Sequence, residues 1–269
     1  MGARQLATRQ RSNNLKPKTM HELATSDSTL QERRERVFLV LAGVFLCAMT
    51  LLNVIGITRF VQIGPIQVAV GVLAYPLTFL CTDLICELYG RARANFLVSL
   101  GLGLNGFILL VMTLANALPA IDPSIQPPWQ TLQLATAVGL PDGSTSGEQI
   151  EMFRLMYALT TGAIFASMIA YATAQYVDVY LFHVFKRKTQ GRHLWLRNNG
   201  STLVSQLVDS IAVISITFGA VYLAGGMSTA TLLTLMASNY VFKMLSALID
   251  TPIIYLLVAK LKPYLGLQK

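Results

Sequence analysis

The stretch Tyr75-Pro76-Leu77-Thr78-Phe79-Leu80-Cys81-Thr82-Asp83-Leu84-Ile85-Cys86-Glu87-Leu88-Tyr89-Gly90-Arg91-Ala92-Arg93 sets the terms for the rest of the chain. It closes a long apolar run, yet it holds two carboxylates, Asp83 and Glu87, one helical turn apart. At (i, i+4) both project from one face of a helix. A carboxylate within an apolar segment of membrane length costs about 3 kcal/mol on insertion scales. Something must offset that cost, and the surrounding sequence reads as the scaffold that places this stretch.

The 269 residues are 54% hydrophobic and only 13% charged, with mean hydropathy +0.54. Soluble domains carry about 25% charged residues. Charge this sparse, with several apolar runs of about 20 residues, indicates a protein that spans the membrane several times. The runs lack the polar stripe of a surface helix, which argues against a large soluble core. Cys47, Cys81 and Cys86 fit neither a disulfide framework nor a metal spacing and read as small packing residues. The first 36 residues are polar, so no cleavable signal peptide is expected.

The fold expected is all-α: a polytopic membrane domain of six helices over residues 37–262, flanked by a disordered basic tail, 1–36, and a short tail, 263–269. Span one covers about Val37 to Thr58 and contains Asn53. Span two, Ile66 to Tyr89, is broken by Pro76, and span three, Ala94 to Leu118, carries Asn105 and Asn116. In the proline-rich connection 119–149, Trp129 to Leu140 is expected to form a short interfacial helix. Span four, Ile150 to Phe185, holds Gln175 and Asp178. Span five, Ser201 to Leu223, opens with Ser205, Gln206 and Asp209, and span six, Thr229 to Ala259, contains Lys243, Asp250 and Pro252.

Charge sets the orientation. The amino tail holds eight Lys and Arg, the connection after span two holds two, that after span four five and the carboxyl end three, together 18 of the 21. The opposite side holds Arg59 and Arg154, while Lys243 lies within a span. The excess of positive charge on cytoplasmic loops then places both termini in the cytoplasm. The net charge of +8 follows from membrane orientation, so no nucleic-acid partner is expected and the lipid bilayer is the surrounding medium.

Five of the 13 acidic residues fall inside spans: Asp83, Glu87, Asp178, Asp209 and Asp250. Such groups face the bundle interior or a watery cavity and tend to pair. Glu87 is expected to pair with Arg91, one turn on, at the inner interface. Asp83 and Asp178 each precede the first inner basic residue, Arg91 and Lys186, by eight residues, about 12 Å of helix. Asp209 falls at a similar depth, and three carboxylates at one level read as a site. Lys243 is deeper and needs a carboxylate partner or a neutral form; Asp250 on the same face, or an aspartate on another helix, could supply the partner. Pro76 and Pro252 are each expected to leave a carbonyl unpaired, as breaks beside transport sites do. There is no GxxxxGK[ST] phosphate loop and no HExxH motif, and His21, His183 and His193 are scattered. No cofactor, metal or enzymatic activity is expected from this pattern.

The blocks Tyr75-Pro76-Leu77-Thr78-Phe79 with Thr82-Asp83 and Glu87-x-Tyr89-Gly90-Arg91, Ala174-Gln175 with Asp178 to Phe182, Trp195 to Asn199, Ser205-Gln206 with Asp209-Ser210, and Tyr240-x-x-Lys243 with Thr251-Pro252 resemble the signature of the queuosine precursor (vitamin-uptake-type) transporter family. The resemblance spans about Val37 to Lys262 and leaves the amino tail aside. It implies a six-span carrier of the bacterial inner membrane that imports 7-deazaguanine bases for tRNA queuosine synthesis, with a small nucleobase as its partner and no cofactor. Under that resemblance the candidate substrate-binding residues are Asn53, Thr78, Phe79, Thr82, Asp83, Gln175, Asp178, Gln206, Asp209 and Lys243. Glu87, Arg91, Asp250, Pro76 and Pro252 form a second set with structural or proton-coupling roles. Asp83 and Asp209 would accept from the base edge, Lys243 would donate, and Tyr75, Phe79 or Tyr240 would stack. A membrane subunit that binds substrate for a separate ATP-driven vitamin uptake system is the alternative, and homo-oligomerisation stays open.

Overall fold

The apolar runs become helices because a helix satisfies every backbone N–H and C=O within the segment itself. The computed structural model describes residues 20–122, 125–190 and 194–267. Six helices in it are long and apolar enough to cross a membrane. They are α1 (Met20–Val54), α2 (Tyr75–Tyr89, membrane-length together with the helical turn before it as Val70–Tyr89), α3 (Arg91–Ala117), α4 (Met152–Lys188), α5 (Leu194–Leu223) and α6 (Thr229–Tyr264). Two small antiparallel hairpins complete the architecture, β1 (Phe60–Ile63) with β2 (Ile66–Ala69) and β3 (Thr131–Gln133) with β4 (Gln149–Glu151). The chain is therefore an all-α polytopic membrane protein.

Large apolar side chains such as Leu39, Phe96, Phe107, Leu114, Phe165 and Leu248 are exposed, as lipid contact requires. The interior is built from smaller contacts. Ala42 and Phe45 of α1, Cys81 and Ile85 of α2, and Ala94 and Leu97 of α3 form one cluster. Along α4, Ala163, Ala166, Ala170 and Ala174 are all buried at helical spacing. Small side chains of this kind let helix backbones approach closely in a bilayer, and α4 shares its most extensive contact with α5.

The second span begins differently from the expectation. Residues 66–69 form strand β2, whose alternation buries Val68 and whose Gln67 N–H donates to Ser238 Oγ of α6 at 3.1 Å. A 3₁₀ turn, Val70–Ala74, leads directly into α2. Pro76 is the second residue of that helix, where a missing N–H does no harm. No carbonyl is orphaned by it, because Val72 C=O accepts from Tyr75 N–H. The turn lies hard against the end of α1: Gly71 N–H donates to Gly56 C=O at 3.0 Å, and both glycines are buried.

The interfacial helix expected over Trp129 to Leu140 is absent. Instead Leu132 pairs with Ile150 across β3 and β4, and Trp129 is exposed. A period-two pattern wins here, since Leu132 and Leu134 pack together on Leu140, Ile150 and Ala158. A second turn in this connection is closed by Asp142. Its carboxylate accepts from the Ser144 amide at 3.0 Å and the Ser144 hydroxyl at 2.6 Å, and pairs with Arg154 at 3.1 Å. Burial pushes Asp142 up, but the two Ser144 bonds and the Arg154 guanidinium outweigh it and hold the carboxyl below its ordinary value of 3.8. A lowered carboxyl stabilises the fold above its unfolded pKa, and that stabilisation is lost as pH falls through the lowered folded value. Protection of the amides across residues 139–147, relative to their intrinsic exchange rates, is therefore expected to fall only as pH drops below 3.8, and Asp142→Asn should remove that pH dependence.

One end of the bundle is tied together by side chains. Helix α1 starts at Met20, so residues 20–36 are helical where a disordered tail is expected from composition. Arg34 explains part of this, since its Nε donates to Leu265 C=O at 2.9 Å and Tyr89 Oη donates to Arg34 C=O at 2.8 Å. Arg93 pairs with Glu35 at 3.2 Å. Leu265 itself is fully buried, so the helix of α6 and its final turn pack on α1 instead of forming a loose tail. Residues 1–19 and 268–269 lie outside the described residues. Gly90, at φ 88°, makes the sharp reversal between α2 and α3, a conformation costly for any side chain.

Candidate functional site

All six helices contribute to one cavity of about 250 Å³. Helix α2 supplies Tyr75, Thr78, Phe79 and Thr82, the i, i+3, i+4, i+7 positions of a single face. Helix α1 supplies Phe45, Met49, Leu52 and Asn53, and α3 supplies Val98, Leu102 and Asn105. Ser167, Met168 and Tyr171 of α4, Asp209 and Val213 of α5, and Asn239 and Lys243 of α6 close it.

The polar floor is an ion pair. Lys243 is 3% exposed and its ammonium donates to Asp209 Oδ2 on the neighbouring helix. The same ammonium lies 4.8 Å from the centroid of the Tyr75 ring, within cation–π range. Its partner is therefore the aspartate of another helix, whereas Asp250, on the same helix, makes no ion pair with it. A lone charge at this depth costs several kcal/mol to bury, and each member of the pair offsets the other's cost.

The walls are less charged but equally directional. Thr78 Oγ1 donates to Tyr75 C=O at 2.7 Å, and Thr82 Oγ1 donates to Thr78 C=O at 2.9 Å. Each hydroxyl has one proton to give, already given to a backbone carbonyl, so toward the cavity both oxygens are left as acceptors. Tyr75 and Phe79 meet edge to face at 4.5 Å with an interplanar angle of 89°. Across the cavity, Asn53 Nδ2 donates to Asn105 Oδ1 at 3.3 Å and to Met49 C=O at 3.1 Å.

Of the expected substrate residues, Asn53, Thr78, Phe79, Thr82, Asp209 and Lys243 meet at the cavity. Asp83 does not line it. One residue on from Thr82, it turns about 100° around the helix and is exposed. Gln206, one turn before Asp209, is also outside the cavity, and its Oε1 is buried without a hydrogen-bond partner among the described residues. The side chains of Gln175, Asp178 and Arg91 lie outside the described residues. Glu87 pairs with Lys262 of α6 at 2.6 Å, tying α2 to α6. Asp250 is buried on α6, and Pro252 lies inside that helix.

Asn239, Asn105, Ser167 and Tyr171 are cavity residues that sequence reasoning did not select. Asn239 had a usable signal, since it precedes Lys243 by one turn and shares its face. Ser167 and Tyr171 carried none, because serine and tyrosine are common in membrane helices and their direction depends on packing.

The family model described as "putative vitamin uptake transporter" matches residues 69–257, from the end of β2 into α6. That range takes in the cavity residues of every helix except α1. The "probable queuosine precursor transporter" of Bacillus subtilis (strain 168) is 28% identical over 200 residues, covering 74% of this chain and 75% of that protein. No solved structure matches. With six membrane-length helices lining a shared cavity, the chain belongs to the vitamin uptake transporter family, and it is a membrane transporter and not an enzyme.

Proposed function

We propose that this chain imports a 7-deazaguanine precursor of queuosine across the bacterial inner membrane, with both termini in the cytoplasm. The observation that carries the reading is the cavity floor formed by Lys243 and Asp209 beneath the α2 face of Tyr75, Thr78, Phe79 and Thr82. A guanine-like edge offers adjacent N–H donors and a ring carbonyl. Asp209 and the threonine oxygens are acceptors for the first, Lys243 is a donor for the second, and the Tyr75 and Phe79 rings flank a planar base. The name of the Bacillus subtilis relative supports the substrate class. The cytoplasmic orientation rests on the bias of Lys and Arg, and the basic ends of α1, α2, α3 and α6 are joined by the contacts of Arg34, Arg93 and Lys262.

Uptake of the radiolabelled base by cells that cannot make the precursor, with and without this gene, is the direct test. Uptake that does not rise with the gene refutes the reading. Repeating it in a host without ATP-binding transport modules separates a self-sufficient carrier from a subunit of an ATP-driven system. Thr82→Val keeps the side-chain shape and removes one acceptor. It is expected to raise the KM for uptake about fivefold, the equivalent of one neutral hydrogen bond of about 1 kcal/mol, with membrane abundance unchanged.

A further inference from the structure

We propose that Asn239 and Asn53, the latter held by Asn105, form a second polar set in the cavity that reads the pyrrole edge of a bare 7-deazaguanine; the inference rests on the import reading above and adds how a free base is selected. The three asparagines come from α6, α1 and α3 and line the same cavity as Asp209 and Lys243. All are buried, with Asn239 5%, Asn105 3% and Asn53 2% exposed. Asn239 precedes Lys243 by four residues, which sets it about 6 Å along α6 on the same face. Asn239 and the ion pair are therefore separate levels of one site.

What singles these residues out is unfinished hydrogen bonding. Asn53 Nδ2 gives its two protons to Met49 C=O and Asn105 Oδ1, which fixes which end of that amide is the oxygen. Its Oδ1 has no hydrogen-bond partner among the described residues, and neither has Asn239 Nδ2. Both atoms are closed to solvent. Buried polar groups in folded proteins are paired almost without exception, because a stranded one keeps its full desolvation penalty. One orphan here is an acceptor and the other a donor, so the ligand that completes them carries one donor and one acceptor. The terminal torsion of an asparagine is soft, so the Asn239 amide turns toward such a ligand at small cost.

The edges of a 7-deazaguanine divide to match. Asp209, Lys243 and the threonine oxygens answer the edge that carries the adjacent N–H donors and the ring carbonyl. The seven position is carbon and offers no acceptor. What is left is the pyrrole N–H, a donor, and the bare pyrimidine nitrogen next to it, an acceptor. Asn53 Oδ1 accepts from the first, and Asn239 Nδ2 donates to the second. Asn105 is a positioning residue, since it holds Asn53 by accepting from it at 3.3 Å. In a nucleoside the pyrrole nitrogen carries the sugar and has no proton, so Asn53 Oδ1 would stay stranded. The cavity volume of about 250 Å³ also falls below the range of about 300–1,000 Å³ common for drug-sized ligands, which favours the bare base over base plus sugar.

The test measures binding by calorimetry on the purified full chain in detergent, with 7-deazaguanine and two analogues. One analogue has CH in place of the bare pyrimidine nitrogen, and the other carries a methyl group on the pyrrole nitrogen. Wild type is expected to bind each analogue about tenfold more weakly than the parent base, the effect of one stranded buried group. Asn239→Leu should bind the parent and the CH analogue equally. Asn53→Ala, which leaves room for the methyl group, should bind the parent and the methylated base equally. A merely structural role would weaken all three ligands alike and leave their ratios unchanged, which would overturn the proposal. Should Asn53→Ala fail to fold, the ratio in Asn239→Leu decides. Wild type that binds the CH analogue as well as the parent, or Asn239→Leu that keeps the preference, overturns the proposal and leaves the import reading standing. Wild type that binds none of the three ligands refutes the import reading, and this assignment with it.

Discussion

Lys243→Ala is expected to abolish base uptake and to lower the thermal stability of the purified chain. The ammonium is buried against Asp209 and over the Tyr75 ring, and no other cation is paired with Asp209 among the described residues. Removing one partner of a buried pair leaves an uncompensated charge and costs about 3–5 kcal/mol. If the base is bound through the same two groups, the loss in uptake is on the order of a hundredfold or more. The neutral double variant Asp209→Asn with Lys243→Gln separates the two effects. It should recover most of the thermal stability, since neither charge is then stranded, but not the uptake. Wild-type uptake by Lys243→Ala at equal membrane abundance would remove the pair from the site.

Gly71→Val should have the second-largest effect, on assembly. A Cβ built at Gly71 meets the Gly56 Cα at 2.7 Å and the Leu52 carbonyl oxygen closer still. Both are backbone atoms, so no rotamer change relieves the contact. Overpacking of this kind costs about 1–3 kcal/mol or more, and here it also pushes the 3₁₀ turn away from α1. Tyr75, the first residue of α2 and part of the cavity wall, would move with it. Membrane abundance and uptake are both expected to fall. Gly43→Ala is the control, since a Cβ there meets nothing within 4 Å, and it should behave as wild type.

Much of the fold is written in local chemistry. Apolar length alone specifies six spans, because a bilayer leaves the backbone few options other than helix. The start of span two and the connection after span three read less well. Ile66 to Ala69 and Leu132 to Leu134 are short apolar segments, which helix and strand patterns share. Their strand form depends on partners, Phe60 to Ile63 and Gln149 to Glu151, that only the folded chain brings alongside. The carboxyl end is similar, since nothing in Leu265 and Gly266 announces that Arg34 hydrogen-bonds their carbonyls.

The site divides along the same line. The sequence by itself determined the class of protein and the set of charges that must be sheltered in the membrane, since these follow from composition and apolar length, while the resemblance pointed to Thr78, Phe79 and Thr82 beside Asp83. Tertiary structure alone decided which charges meet. Glu87 pairs with Lys262, 175 positions on, and Lys243 takes Asp209, while Asp250 on its own helix is in no ion pair among the described residues. Asp83, one of the two carboxylates of the opening stretch, lies outside the cavity, while its neighbour Thr82 lines it. The physical reason is that spacing within a helix specifies a direction around one axis, whereas a partner depends on where other axes pass, and that is set by packing of the whole bundle.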